Sequence, residues 1–217
     1  MSSVAYPCNQ EGRSFECRIH ATNGSWNSPM PIESDRLILR PWKDADRQPF
    51  ADMSADGGVM EHLLPLNAHD AYHTWIDRQI ENQQKHRMCF WAVEAKQDGA
   101  FVGAVGLLPV TYEAHFTPAV EVGWRIARPF WGLGYAPEAA EAAIRFGFES
   151  LQLSEIVSNA GVANEKSMRV MSKLGMLRDL NGDFDHPLVP EGNALRRQVL
   201  YRLTRSRWLA QSAAPRA

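Results

Sequence analysis

The sequence predicts an α/β fold, a mixed and largely antiparallel twisted sheet flanked by helices, and three observations carry that prediction. Apolar runs of strand length at 88–95 and 100–108 face each other across Gln97-Asp98-Gly99, a turn sequence suited to an antiparallel hairpin. A further strand at 119–126 leads through a glycine-containing turn into a helical pattern at 134–148 and a short strand at 155–158, which reads as a βαβ-like unit. Antiparallel strands before a βαβ-like unit argue against an all-parallel sheet. Finally, 217 residues that are 45% hydrophobic and 22% charged can bury one core of ordinary domain size.

The elements follow in order. Residues 1–29 carry no sustained period and read as an irregular N-terminal extension; residues 30–217 read as the domain, and Met30, followed at once by patterned sequence, is a candidate translation start. Arg36 to Arg40 forms a short apolar strand, and Asp44 or Asp46 suits the start of a helix to about residue 53. Over 69–85, Tyr72, Trp75, Ile76 and Ile80 fall on one helical face. In the helix at 134–148, Ala139, Ala143 and Phe146 share a side, and Pro137 is tolerated because it lies in the first turn. A helix at 164–174 is stopped by Gly175, and 197–203 alternates as a final strand. The stretch 181–190, rich in Gly and Pro, is expected to be a loop.

Composition narrows function. A formal charge of −2 gives no reason to expect nucleic acid, which selects for excess Lys and Arg. No apolar run reaches the roughly 18 residues of a membrane span, and the first thirty residues, with Glu11, Arg13, Glu16 and Arg18, do not read as a secretory signal. Cys8, Cys17 and Cys89 are few and odd in number, which points to a reducing compartment and a cytoplasmic address. A monomer and a homodimer are both compatible with the sequence.

The stretch that carries chemistry is Trp131-Gly132-Leu133-Gly134-Tyr135-Ala136, between a strand and a helix. Glycines let backbone N–H groups converge, and the helix dipole favours an anion there. Two nucleotide readings fail. Pro137 stands where the dinucleotide fingerprint needs a third glycine, and the next strand ends near Asn159 without an acidic ribose ligand. The Gly-Lys-Ser/Thr of a Walker loop is absent. What remains is a pyrophosphate site of another kind.

Taken with Asp35-Arg36-Leu37-Ile38-Leu39-Arg40, Glu121-Val122-Gly123-Trp124, Pro137-Glu138-Ala139, Asn164-Glu165-Lys166-Ser167 and Lys173-Leu174-Gly175-Met176, the loop resembles the GNAT superfamily of N-acetyltransferases. Within it the chain is most similar to the branch of ribosomal-protein N-terminal (alanine/serine) acetyltransferases, in order over roughly residues 33–205. The resemblance implies an acyl-CoA N-acyltransferase-like fold and direct acetyl transfer from acetyl-CoA to a primary amine, on a protein N-terminus or a small molecule. It implies that backbone N–H groups of Gly132, Leu133, Gly134, Tyr135 and Ala136, beside Trp131, take the pyrophosphate. Backbone groups of Trp124, Arg125 and Ile126 would pair with the pantetheine arm as an added strand does.

Amines with pKa of about 8 to 10.4 are mostly protonated at pH 7, so a base is needed. Glu121 is the candidate, its alternative being a paired or solvated strand carboxylate. Asn164 is expected to bond the pantetheine or to cap its helix. Ser167 is a candidate proton donor to the thiolate or else a solvent-facing serine, and Arg169 and Lys173 reach the cofactor phosphates or remain solvated. Two departures matter: Trp131 replaces the Gln or Arg that usually opens the loop, and Met171 replaces the tyrosine that often serves as acid. An antibiotic- or polyamine-detoxifying acetyltransferase and a non-catalytic acyl-CoA sensor are the alternatives.

Other constellations read more plainly. His69 and His73, four apart, lack the Glu and third ligand of a zinc site, so no metal is expected. Asp183, Asp185 and His186, like Glu113 and His115, either frame the acceptor or face solvent. Cys89 is a core residue. Trp42, Trp75, Trp91, Trp124 and Trp208 are expected in core or groove wall, and Trp131 beneath the loop.

Overall fold

The computed structural model describes residues 31–64 and 71–213; the extension 1–29, Met30 and His69 lie outside them. The hairpin comes first in the argument because its turn is local. β3 (Phe90–Ala95) and β4 (Phe101–Pro109) pair antiparallel. Gly99, at φ +74°, takes the left-handed turn position, and Asp98 Oδ1 accepts from Ala100 N–H at 3.0 Å. β1 (Ile32–Glu33) and β2 (Leu37–Arg40) extend the sheet on one side of this hairpin, and β5 (Val120–Ile126) on the other. β6 (Glu155–Gly161), β7 (Leu177–Asp185) and β8 (Arg197–Thr204) complete eight strands in the order β1-β2-β3-β4-β5-β6-β8-β7. Only β5 and β6 run parallel, as the βαβ-like reading required.

Helices cover both faces. α4 (Tyr135–Glu149) lies against one face, where Ala139, Ala140, Ala142 and Ala143 are 0–2% exposed. Such small side chains let the helix approach closely the buried Val105, Leu107, Val122 and Ile156. α1 (Arg47–Ala55), α2 (Gly57–Met60) and α3 (Ala71–His86) cover the other face, closing Phe50, Trp42, Ile76, Trp75 and Tyr72 over Ala92 and Ala104. Phe50 and Trp75 stack at 4.6 Å, with Trp42 edge-on to Phe50 at 5.4 Å; burial of each such side chain contributes about 1.5–3 kcal/mol.

Arg40 ties the first strands to the helical layer. Its guanidinium forks onto Asp46 at 2.7 and 2.8 Å and meets Glu94 at 2.6 Å. α5 (Glu165–Lys173) ends at Gly175, φ +71°, whose carbonyl accepts from Arg207 and Gln211 of α6 (Arg205–Ala213).

Four features depart from expectation. The stretch expected as a loop from residue 181 is strand as far as Asp185, with its loop following. Asn181 and Gly182 occupy a register shift between Asp179 and Phe184 rather than a turn. β6 runs three residues past the predicted end, and β1, α2 and α6 had no sequence signal. Among the described residues, no helix is long and apolar enough to cross a membrane.

Candidate active site

The phase of the β4–β5 ladder determines what β5 can offer. Ala127 N–H donates to Val102 and Val110 N–H to Ala119, both at 2.9 Å. Odd-numbered residues of β5 therefore bond to β4, and even-numbered ones turn their N–H and C=O groups toward β6. Yet β6 meets β5 in register only at Glu121 opposite Val157, and from there runs on against β8. The two strands part.

Along this wedge each even-numbered carbonyl can be followed. Val122 C=O accepts from the buried Ser158 hydroxyl at 2.9 Å, and Ile126 C=O from the Trp131 indole at 2.7 Å. Between them Trp124 N–H and C=O and Ile126 N–H turn away from β4 toward the opening, beyond the single β5–β6 register point. Arg125 is corrected here: its backbone pairs with Ala104 of β4, so it does not belong with Trp124 and Ile126 as an edge ligand.

The wedge opens into a cleft of about 490 Å³ lined by Trp124, Arg125, Ile126, Trp131, Gly132, Gly134, Tyr135, Ala136, Asn164, Ser167 and Lys173. Eleven of the predicted residues thus meet in one place. Leu133 does not line it: its side chain is 51% exposed at the loop tip, which leaves its backbone as its contribution. Gly132 and Gly134 stand at φ +78° and +80°. A Cβ on Gly132 would meet nothing within 4 Å, so backbone conformation, not protein crowding, calls for glycine there. Gly134 is also the N-cap of α4, so the loop presents N–H groups at the positive end of a fifteen-residue helix.

Three supports hold the loop. Trp131 packs under it, with Lys166 Nζ 4.6 Å from its ring centroid. Arg36 lies over the Tyr135 ring at 4.7 Å and pairs with Glu138 in the first turn of α4 at 2.6 Å. Burial opposes ionisation of Glu138, but bonds from Arg36 N–H, the Ser34 hydroxyl and the Arg36 guanidinium outweigh it and hold its pKa below normal. The Arg of the opening strand motif is thus a brace for the loop, a role that the sequence left unread. On the far wall, Asp56 caps α2 and forks with Arg128, which brings its pKa down to about 2.

Asn164 caps α5, its side-chain oxygen accepting from Ser167 N–H at 3.1 Å. Ser167 is half-buried and lines the cleft, as do Lys166 and Arg169, although Arg169 also pairs with Glu165 at 3.0 Å. Met171 is 1% exposed in the core, so the position of the missing tyrosine is filled by packing. Cys89 is buried, and burial pushes its thiol pKa up, away from nucleophile chemistry.

Glu121 does not line the cleft; it lies further back along β5, on the sheet face opposite α4. Burial raises its pKa to about 7, and a bond from Asn159 Nδ2 at 2.9 Å moderates the rise. The same amide lies 3.2 Å from the Tyr112 hydroxyl, whose pKa is raised by burial and then by the charge of Glu121. Tyr112 in turn meets the tilted His186 ring at 4.2 Å and packs by Phe116 and Phe184. Tyr112, Asn159 and Ser158 were missed in the sequence because their partners lie across strands. Asp183 and Asp185 pair with Arg178 and Arg197, and Glu113 and His115 are exposed. Among the described residues, no three His, Cys, Asp or Glu side chains gather as a metal site.

Comparison with known proteins agrees with this geometry. Residues 36–177 match the family model of the acetyltransferase (GNAT) domain. The uncharacterized protein YkkB of Bacillus subtilis is 30% identical over 151 residues, 69% of this chain and 87% of that protein. An Aspergillus fumigatus FsC-acetyl coenzyme A-N(2)-transacetylase is 34% identical over 187 residues, 82% of this chain and 77% of that one. The crystal structure of a ribosomal-protein-S5-alanine acetyltransferase from Vibrio fischeri shares the fold, with TM-score 0.65 and 21% identity over 82% of this chain and 98% of that one. The chain belongs to the GNAT acetyltransferase domain family.

Proposed function

We propose that this chain transfers the acetyl group of acetyl-CoA directly to a primary amine. The observation that carries the reading is the parting of β5 from β6, which leaves Trp124 and Ile126 backbone groups open beside a glycine turn at the start of α4. An extended amide-bearing arm bonds such an edge as a strand would, and its pyrophosphate suits the N–H groups of 132–136. Lys166, Arg169 and Lys173 supply positive charge along the same cleft. Acetyl-CoA brings the activated acetyl group.

The rest falls to the chain's own residues. Glu121, with a pKa of about 7, takes the proton that an ammonium acceptor must lose, directly or through water. A backbone N–H of the open edge polarises the thioester carbonyl as nitrogen attacks. The C–N bond forms, the C–S bond breaks and the nitrogen sheds its second proton; coenzyme A leaves as thiolate, and Ser167, whose half-buried side chain lines the cleft, relays a proton to it and regains its own from solvent. Asn164 acts by holding α5.

The test is thiol release from acetyl-CoA with a panel of amines covering peptide N-termini, polyamines and small amines. Amine-dependent release is expected. Melting-point elevation by acetyl-CoA without release for any amine would favour a non-catalytic sensor instead.

A further inference from the structure

Arg125 differs from the carboxylate-paired arginines of the fold. Those at 36, 40, 47, 128 and 202 are each engaged by carboxylates. Arg125 has no carboxylate partner among the described residues. Its guanidinium lies 5.5 and 5.4 Å from the ring centroids of Phe50 and Trp75, and its one hydrogen bond among the described residues is Nη1 to the Ser54 hydroxyl at 3.4 Å. Burial lowers its pKa to about 10, so it keeps its charge at neutral pH. A charge held in apolar surroundings without a counter-charge is costly. Nε and Nη2 make no bond to the described residues and are not sealed from solvent, and Arg125 lines the cleft. Its free donors fit a planar anion.

The sheet face decides which anion. Val120, Val122 and Ile126 point into the core under α4, so Glu121, Gly123 and Arg125 share the opposite face, where Arg125 lies by Phe50 of α1 and Trp75 of α3 and Glu121 meets Asn159. The glycine loop leads into α4 on the other face. The guanidinium therefore leaves the strand on the side of Glu121 and borders the cleft from the face opposite α4. Between the two charges the Phe90 ring packs on Gly123, where a Cβ would come within 2.7 Å of Phe90 Cζ, so an acceptor reaching both runs along the edge of that apolar ring. Four residues of strand separate the Glu121 and Arg125 Cα atoms by about 13 Å, and both side chains are long. An acceptor bridging them has a cationic end and an anionic end joined by several methylenes.

Resting on the acetyltransferase reading above, we propose that Arg125 binds a carboxylate of the acceptor, so that the amine acetylated here is a zwitterion whose amine and carboxylate are several bonds apart. The probes are 6-aminohexanoate, 6-aminohexanamide and hexylamine with acetyl-CoA. The carboxylate is expected to exceed both others in kcat/KM by about tenfold or more, chiefly through KM. R125Q is expected to erase that preference and R125K to keep part of it. Equal kcat/KM for all three amines, or a preference for the carboxylate that R125Q retains, would overturn the proposal. If none of the amines is acetylated, the transferase reading fails separately, and the melting temperature of the acetyl-CoA-loaded protein decides. A rise with 6-aminohexanoate that hexylamine does not give and R125Q loses supports the anion site; equal rises contradict it.

Discussion

Glu121 illustrates what one position in a fold does to a carboxyl. A group whose folded pKa of about 7 stands above its ordinary 4.5 resists ionisation. The stability associated with its neutral form is whole below about pH 4.5 and is lost as pH rises through 7. E121Q, which cannot ionise, should therefore gain on the wild type across this window, by up to about 3 kcal/mol at pH 8. Calorimetric melting curves between pH 5 and 8 check this, and pH-independent differences would contradict it. Asp56 has the opposite sign: with its pKa brought down to about 2, its support of α2 is present above about pH 4 and lost as pH falls toward 2. The glutamate was legible in the sequence as a candidate base, but its partners were not. Asn159 and Tyr112 reach it from β6 and from the segment before β5, and no local spacing encodes that meeting.

At the scale of elements, the glycine loop depends on the indole beneath it. W131F keeps most of the packing but removes the donor to Ile126 C=O. It should cost about 1 kcal/mol in stability and weaken acetyl-CoA binding several-fold, read by denaturation and titration calorimetry; unchanged affinity would show that the indole does not shape the site. Arg40 makes a sharper case. R40M leaves the buried Asp46 carboxylate without its cation and Glu94 with Lys43 at 3.7 Å, and a loss of about 3–5 kcal/mol is expected in urea unfolding. Elements with strong local signals were readable: the 97–99 hairpin turn, the alanine face of α4, the Asn164 cap and the Gly175 stop. Unread elements had signals of another kind. Asn181-Gly182 has the composition of a turn but serves as a strand irregularity, and four-residue α2 exists because Asp56 caps it and Arg128 holds it.

At the scale of the whole molecule, function follows from strand order. β4 holds one side of β5 and β8 holds one side of β6, so the two parallel strands share a single register point and open a cleft between them. The sequence identified both strands and the loop, but where two strands stop pairing depends on the sheet as a unit. Ser158, a buried hydroxyl closing the first carbonyl of the wedge, is the local trace of that event. Ligands that bind this wedge should stabilise the fold by mass action: about 2.7 kcal/mol at one hundred times Kd of acetyl-CoA, seen as a concentration-dependent melting temperature. The most direct test joins the wedge to its base: the pH dependence of kcat/KM for amine-dependent thiol release, in wild type and E121Q. A wild-type limb near pH 7 that E121Q lacks, with activity about 10²–10⁴-fold lower, is the expected result. An E121Q profile matching the wild type across pH 6–9 would contradict the assignment of this face as the site of acetyl transfer.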